Sequence, residues 1–428
     1  MPARVWFRWL LTHGLPRTYL RLAARRGDPL GQIAFGPDRL LGSSPYVEEI
    51  RRRGRIPRLS GVHVTADYEL CRLVLRDQRF GVVRPDHPAL PKPIRRLLAM
   101  TDLGLPNLGE PPSMLVTDPP DHTRYRRMVG QAFGPKAIAA LAQRITEVAD
   151  DLVERLASNP RPDLITDFSK QLPVTIIAEI LGLPADMHAT LLKWGDSGAP
   201  LLERGLSWAA YRDAVADLIE VEEYFDRHFD RLDADPRDDV LSMLVTHDDL
   251  TRREQVANAT LLLDAGFMTT VNMLGNGIAL LTSHPDQLEL LAARPELWPN
   301  AIAEILRYDG PVRMTGRVAN ADVDLADQRI RSGSLVLLSL AGANTDPAVF
   351  PDPQRFDVTR ANATEHLAFS SGIHGCLGAR LALMEGTVAL RALFDRYPDL
   401  RLDGPPVPHP ILRNLHAYRS MPAKLAAA

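Results

Sequence analysis

Apolar residues recur along this chain mainly at the spacing of amphipathic helices. The longest such stretch runs from Gln255 to Ser283 and is interrupted by Asp264, Asn272, Asn276 and three glycines. Its length suits a membrane span, but the polar residues inside it predict a long central helix, buried on most sides. Ala66 to Leu75 predicts a shorter helix with Leu70, Leu73 and Leu75 on its apolar side. Leu172 to Leu183 predicts an apolar segment stopped by Gly182 and Pro184, and Leu218 to Phe229 a more charged helix. Asp118-Pro119-Pro120 predicts a helix start with a capping acid, continuing through His122 and Arg126 to Phe133. Glu304 and Arg307, three apart, share a helical face.

The period changes to two in a few places. Gly61 to Thr65 predicts a strand, and Val323, Leu325, Ile330 and Leu335 to Leu340 predict a small sheet. Residues 396–428 predict a final hairpin. Residues 82–115 are proline-rich and aperiodic and predict a long loop; loops of that length in a compact domain are usually functional. The fold class expected is mainly α with a small β-sheet region.

Composition narrows the function classes. The chain has 428 residues, 45% hydrophobic and 24% charged, with a net charge of 50 − 53 = −3, so no global basicity points to nucleic acid. Two cysteines are too few for a disulfide framework and fit a reducing cytoplasm. Charge is unevenly placed, however. The first 26 residues hold six arginines and no acid, together with Trp6, Phe7, Trp9, Leu10 and Leu11. Arginines interrupt each apolar run, which argues against a signal sequence or a span. Residues 1–45 are therefore expected to form a basic amphipathic arm, packed on a single domain of residues 46–428 or in weak contact with a membrane surface.

The candidate chemistry centres on Phe369-Ser370-Ser371-Gly372-Ile373-His374-Gly375-Cys376-Leu377-Gly378. Its glycines allow tight turns and close approach, and loop N–H groups with a helix start behind the sulfur favour a thiolate. Such a thiolate is a strong metal ligand. The only other cysteine, Cys71, is far away beside Leu70 and reads as a core residue. A zinc site or an iron–sulfur cluster needs several cysteines at short spacing. A single thiolate on haem iron remains. His122 and Arg126, four apart, could bind an anion on one helical face. In the central helix, Ala265 and Gly266 would let a flat ligand approach, and the Thr269 hydroxyl could open the helical ladder or hold a water beside it.

The ten-residue loop resembles the haem-binding loop of cytochromes P450 (Phe-x-x-Gly-x-His-x-Cys-x-Gly), with every specified position present. Further motifs follow in that family's order: His122/Arg126, Ala265-Gly266-Phe267-Met268-Thr269, Glu304/Arg307 and Arg355. The resemblance implies haem b between the central helix and the cysteine loop, with Cys376 on the iron. It implies that His122, Arg126, Arg317 and His374 hold the propionates and that Ala265, Phe369, Gly372 and Gly378 line the cofactor. Glu304, Arg307 and Arg355 would form a structural ion cluster. Thr269 would order oxygen-derived ligands. The family's acidic residue before that threonine is Met268 here, which cannot relay a proton; Asp264, or a chain of ordered water, is expected to substitute.

The activity implied is monooxygenation of a lipophilic small molecule by a monomer of the soluble bacterial kind. Electrons would come from NAD(P)H through a ferredoxin reductase and a ferredoxin docking near Arg124, Arg127 and Arg380. Substrate contacts would come from 85–115, 185–210, 260–270, 312–315 and 411–415. Met268 leaves open a peroxide-using or isomerising relative, and a haem-based ligand sensor is the alternative outside enzymes.

Overall fold

The computed structural model describes residues 2–36, 45–88, 90–246 and 249–425. Residues 37–44, at the end of the basic arm, and Ala89, in the proline-rich stretch, lie outside the described residues. Helices form most of the body, around one large apolar core to which the central helix, Arg252–Ser283, contributes most of its length. That helix starts at a capping box: the Thr251 hydroxyl accepts from the Glu254 N–H, and the Glu254 carboxylate accepts from the Thr251 N–H. It is buried nearly all round, as its apolar, non-amphipathic pattern predicts. Helices Gln171–Leu181, Trp208–Ala234, Trp298–Asp309 and Ala379–Arg396 pack around it.

The β region is small. Strands β1 (Arg58–Leu59), β2 (Val62–Thr65), β3 (Phe80–Val82), β4 (Met314–Ala319), β5 (Val323–Leu325), β6 (Gln328–Ile330) and β7 (Leu335–Ser339) come before the cysteine loop. β8 (Arg401–Leu402), β9 (Val407–Pro408), β10 (Tyr418–Ser420) and β11 (Ala423–Lys424) follow it. Five strands form one sheet in the order β1-β2-β7-β4-β3, parallel only between β2 and β7. It carries a second, separate core with Cys71 at its centre. The last strands form two ribbons, β8 with β11 and β9 with β10, in place of one simple hairpin.

Three local expectations need correction. Residues 82–115 are not all loop: Lys92–Thr101 is a helix started by Pro93 in its first turn, and the surrounding prolines hid it. In the helix Tyr68–Arg76, Leu73 is exposed, and Cys71 and Val74 take the core side with Leu70 and Leu75. The helix Asp121–Val129 has no side-chain cap; the Asp118 carboxylate turns back to accept the Val82 N–H at 3.1 Å.

At the N-terminus, Pro2–Trp9, a π-helical turn Leu10–Gly14 and Leu15–Arg25 follow one another with helical backbone throughout. Val5 and Arg8 are buried against the body, and Arg8 donates to the Leu98 carbonyl at 2.6 Å and pairs with Glu110.

Candidate active site

The cysteine loop is built by its backbone. The Cys376 N–H donates to the Phe369 carbonyl at 2.9 Å and the Gly375 N–H to the Gly372 carbonyl at 3.0 Å. Gly372 sits at φ +72°, and a Cβ there would come within 2.5 Å of the Leu75 carbonyl oxygen, so only glycine fits. Gly378 has open space where a side chain would be. Cys376 is exposed, while Cys71 is buried. The surrounding protein still pushes the Cys376 thiol up; the Gly378 N–H and Arg126 act in the opposite direction. The loop alone therefore does not make a free thiolate, contrary to the sequence expectation. The charge of a bound metal is what would deprotonate it. Phe369 is half-buried beside His366, with ring centroids 5.5 Å apart.

Cationic and imidazole groups gather beside the sulfur. The His122 and His374 rings lie 4.1 Å apart. Arg126, one turn from His122, is half-buried. Arg317 is only 6% exposed, and its guanidinium donates to the Gly316 carbonyl at 2.8 Å. Burial pushes His122 down to about 4, with His374 and Arg126 adding to the effect, and pushes Arg317 down to about 10. Asp118 is the carboxylate that faces this group, but its Oδ1 is 3.9 Å from His374 Nε2, too long for a hydrogen bond. Among the described residues, His374 Nε2 is thus buried without a hydrogen-bond partner. Buried cations with too little negative charge make a site for an anionic group. Two carboxylates of a tetrapyrrole would fit it. Among the described residues no group of three His, Cys, Asp or Glu could hold a bare metal ion, so a cofactor bringing its own nitrogen ligands suits the lone Cys376.

The central helix is opened at one point. Ala265 is exposed in the middle of a helix otherwise enclosed, and Thr269, one turn on, is half-exposed. The Thr269 hydroxyl donates to the Ala265 carbonyl at 3.2 Å. Gly266 does not face this space. A Cβ there would lie 2.7 Å from the Ile177 side chain, so the glycine lets the Gln171–Leu181 helix approach instead. Asp264 points elsewhere again: its Oδ2 occupies the room left by Gly198, on the helix His188–Gly198. At about 100° per residue it stands roughly 140° around the helix from Thr269. Asp264 is fully buried and burial pushes it up to about 8. The structure therefore does not bring Asp264 to Thr269. Met268 is buried in the core.

A buried ion cluster supports the loop from behind. Glu304 and Arg307 have no exposed side-chain surface and pair twice, Nε–Oε2 at 2.6 Å and Nη2–Oε1 at 2.7 Å. The third member is Arg360, whose Nε lies 3.1 Å from Glu304 Oε1. Arg355 is not in the cluster: its side chain is 65% exposed and, among the described residues, reaches only Asp357, at 4.0 Å. What Arg355 contributes is its carbonyl, which accepts from Arg307 and Arg360. The motif match was to a chain position, and a five-residue turn brings a different guanidinium inward. The cluster reaches the cysteine loop through Asn344: Arg307 donates to its carbonyl at 3.0 Å, and its Oδ1 accepts the Leu367 N–H at 2.6 Å.

Three of the segments expected to surround a substrate, 185–210, 312–315 and 411–415, touch one another. Buried Glu203 accepts the N–H groups of Arg413, Asn414 and Leu415, each at 2.9 Å. Val312 bridges to Leu415, and the Met114 N–H donates to Asn258 of the central helix at 3.1 Å. Glu203 gave no sequence signal, being one acid among many. Glu385 was missed for the same reason; it is fully buried in the cysteine helix next to Thr270, and among the described residues neither oxygen makes a hydrogen bond of normal geometry. Arg124, expected on an open docking face, is already engaged by Glu254 at 2.6 Å and Asp121 at 3.1 Å; Arg127 and Arg380 are exposed.

Comparison with known proteins gives the family. A sequence model described as "Cytochrome P450" matches residues 293–410. The chain is 41% identical over 404 residues to the putative cytochrome P450 140 of Mycobacterium tuberculosis (strain ATCC 25618 / H37Rv), covering 92% of each chain. It is 36% identical over 402 residues to the cytochrome P450 monooxygenase PikC of Streptomyces venezuelae, covering 90% of this chain and 92% of that one. Among solved structures it is similar to P450BioI in complex with hexadec-9Z-enoic acid ligated acyl carrier protein. The TM-score there is 0.80 at 31% identity, with 89% of this chain and 98% of that chain covered.

Proposed function

The chain belongs to the cytochrome P450 family, and from that premise we propose that it inserts one oxygen atom from O2 into a lipophilic small molecule. It is a haem enzyme of the bacterial monooxygenase kind, as its relatives are. The observation that supports the site reading is exposed Cys376 with Arg126 and the His122–His374 ring pair near it and Arg317 buried close by, while Ala265 and Thr269 open on an otherwise enclosed helix.

When bound through Cys376, the haem would supply the activation of dioxygen. The chain's own residues do the rest. His122, Arg126, His374 and Arg317 orient the cofactor through its acidic groups. Phe369 shields the sulfur and Gly372 fixes the loop that presents it. Thr269 holds a water or a proton at its hydroxyl, released from the Ala265 carbonyl. Asp264, neutral near pH 7, stores a proton that reaches Thr269 only through water. The apolar segments 85–115, 185–210, 312–315 and 411–415 exclude bulk water and favour a lipophilic substrate. An acyl chain is presented to P450BioI on a carrier protein. Electrons come from NAD(P)H through a cytoplasmic ferredoxin reductase and ferredoxin, the latter docking near Arg127 and Arg380.

The test is direct. Purified, haem-loaded protein reduced under carbon monoxide should give the strongly red-shifted Soret band of CO opposite a thiolate, and Cys376→Ser should abolish it. Ferredoxin-driven turnover of a compound that shifts the iron spin state then separates the oxygenase from a peroxide-driven relative, which Met268 at the usual acid position favours.

A further inference from the structure

Exposed large apolar side chains are unevenly distributed over this molecule. Among the described residues eight of fourteen lie on three helices: Pro2–Trp9, Leu15–Arg25 and Lys92–Thr101. On Leu15–Arg25 they are Leu15, Tyr19 and Leu22, at i, i+4 and i+7, which is a complete apolar stripe turned to solvent. On Lys92–Thr101 they are Ile94, Leu97 and Met100, the last 74% exposed. Trp6 and Phe7 complete the set, with ring centroids 5.2 Å apart.

These helices are also the basic part of a chain whose net charge is −3. They hold eight cations and no acid: Arg4 and Arg8, then Arg17, Arg21 and Arg25, then Lys92, Arg95 and Arg96. Arg8 is buried between the first and third helices and fixes them side by side, and Arg4 also donates across to the Asp102 carbonyl. The π-helical turn at Leu10–Gly14 lets the first two run on as one rod from Pro2 to Arg25. A groove beside Leu22 is edged by Arg26 and Arg53, with Asp28 as its one acid among the described residues. Among the described residues no helix is long and apolar enough to cross a membrane.

Exposed Trp, Phe, Leu and Met with arginines among them, on helices of which the first and third are tied together, fit the plane between lipid headgroups and acyl chains. The charge selects an anionic surface. We propose that this three-helix face docks the folded protein on an anionic lipid bilayer, lying on it without crossing. The proposal stands apart from the oxygenase reading, since it uses none of the residues around Cys376.

The test uses the haem-loaded full chain and vesicles of phosphatidylcholine alone or of equal parts phosphatidylcholine and phosphatidylglycerol, followed by flotation. Binding should be about tenfold stronger to the mixed vesicles and should fall as salt rises. Trp6→Ser, Phe7→Ser and Met100→Ser combined should release the protein, and Arg21→Glu with Arg25→Glu and Arg96→Glu should remove the preference for the anionic lipid. An unchanged Soret band and far-ultraviolet spectrum show that each variant is folded. Absence of binding to mixed vesicles, or equal binding by the apolar triple variant, overturns the proposal. So does a concentration-dependent dimer that the same triple variant dissolves, because the face would then belong to a second copy of the chain.

Discussion

Arg360 Nε stands 3.1 Å from Glu304 Oε1, on the carboxylate that Arg307 already holds with two hydrogen bonds. One buried carboxylate thus sits between two guanidiniums and also accepts the Asp357 N–H at 3.0 Å. Removing Arg360 leaves the fully buried Glu304 carboxylate with one guanidinium fewer. Arg360→Ala should lower stability by about 3 kcal/mol and reduce haem content. Arg355→Ala, on an exposed side chain, should stay within about 0.5 kcal/mol. Thermal unfolding and the Soret absorbance per polypeptide measure both.

Arg317 is a buried cation with no carboxylate within hydrogen-bond reach among the described residues. If its partner is a haem carboxylate, Arg317→Leu should leave folding intact and speed haem loss about tenfold, a cost of about 1.4 kcal/mol. Transfer of haem to excess apomyoglobin gives the rate. An unchanged rate would remove Arg317 from the cofactor site.

Gly266 and Ile177 meet where two helices cross. Gly266→Ala gains helix propensity but drives a methyl into a side chain with no exposed surface. The net effect should be a loss of about 1–2 kcal/mol. Adding Ile177→Ala should recover part of it, as measured in a double-mutant cycle by denaturant unfolding. A ligand-facing Gly266 would show no such coupling.

Much of this was legible in the sequence. The central helix announces itself by length and apolarity, and the cysteine loop by glycines whose spacing the backbone needs, as Gly372 at φ +72° shows. What sequence spacing does not carry is direction around a helix axis and the path of an irregular turn. Gly266 and Asp264 were assigned to the ligand side through their neighbours in the chain, yet one faces Ile177 and the other Gly198. Arg355 and Arg360 are alike in composition and differ only in which one the turn folds inward. The helix Lys92–Thr101 was hidden by prolines that in fact mark its first turn.

Burial raises Glu385 from 4.5 to about 8. The folded chain keeps a proton there after the unfolded chain has released it. Between those two values the folded state binds more protons, so this group makes stability fall as pH rises. Glu385→Gln should leave stability at pH 4 unchanged and raise it by about 1–3 kcal/mol near pH 8. Denaturant melts across that range show whether the slope flattens.

Asp264 is likewise held neutral, up to about 8. Asp264→Asn should flatten the same pH slope and, if the proton store is used, cut product formed per NAD(P)H consumed several-fold without altering substrate-induced spectral shifts. Equal coupling in the variant would leave water alone as the proton route.

Cys71 is sealed in the sheet core, and burial pushes its thiol far above the ordinary cysteine range. Cys376 alone borders open space. A maleimide or chromogenic disulfide should therefore find a single reactive sulfur on the empty folded polypeptide and none once iron occupies it. Thiol titration of a preparation then counts the molecules lacking pigment, independently of any absorbance coefficient.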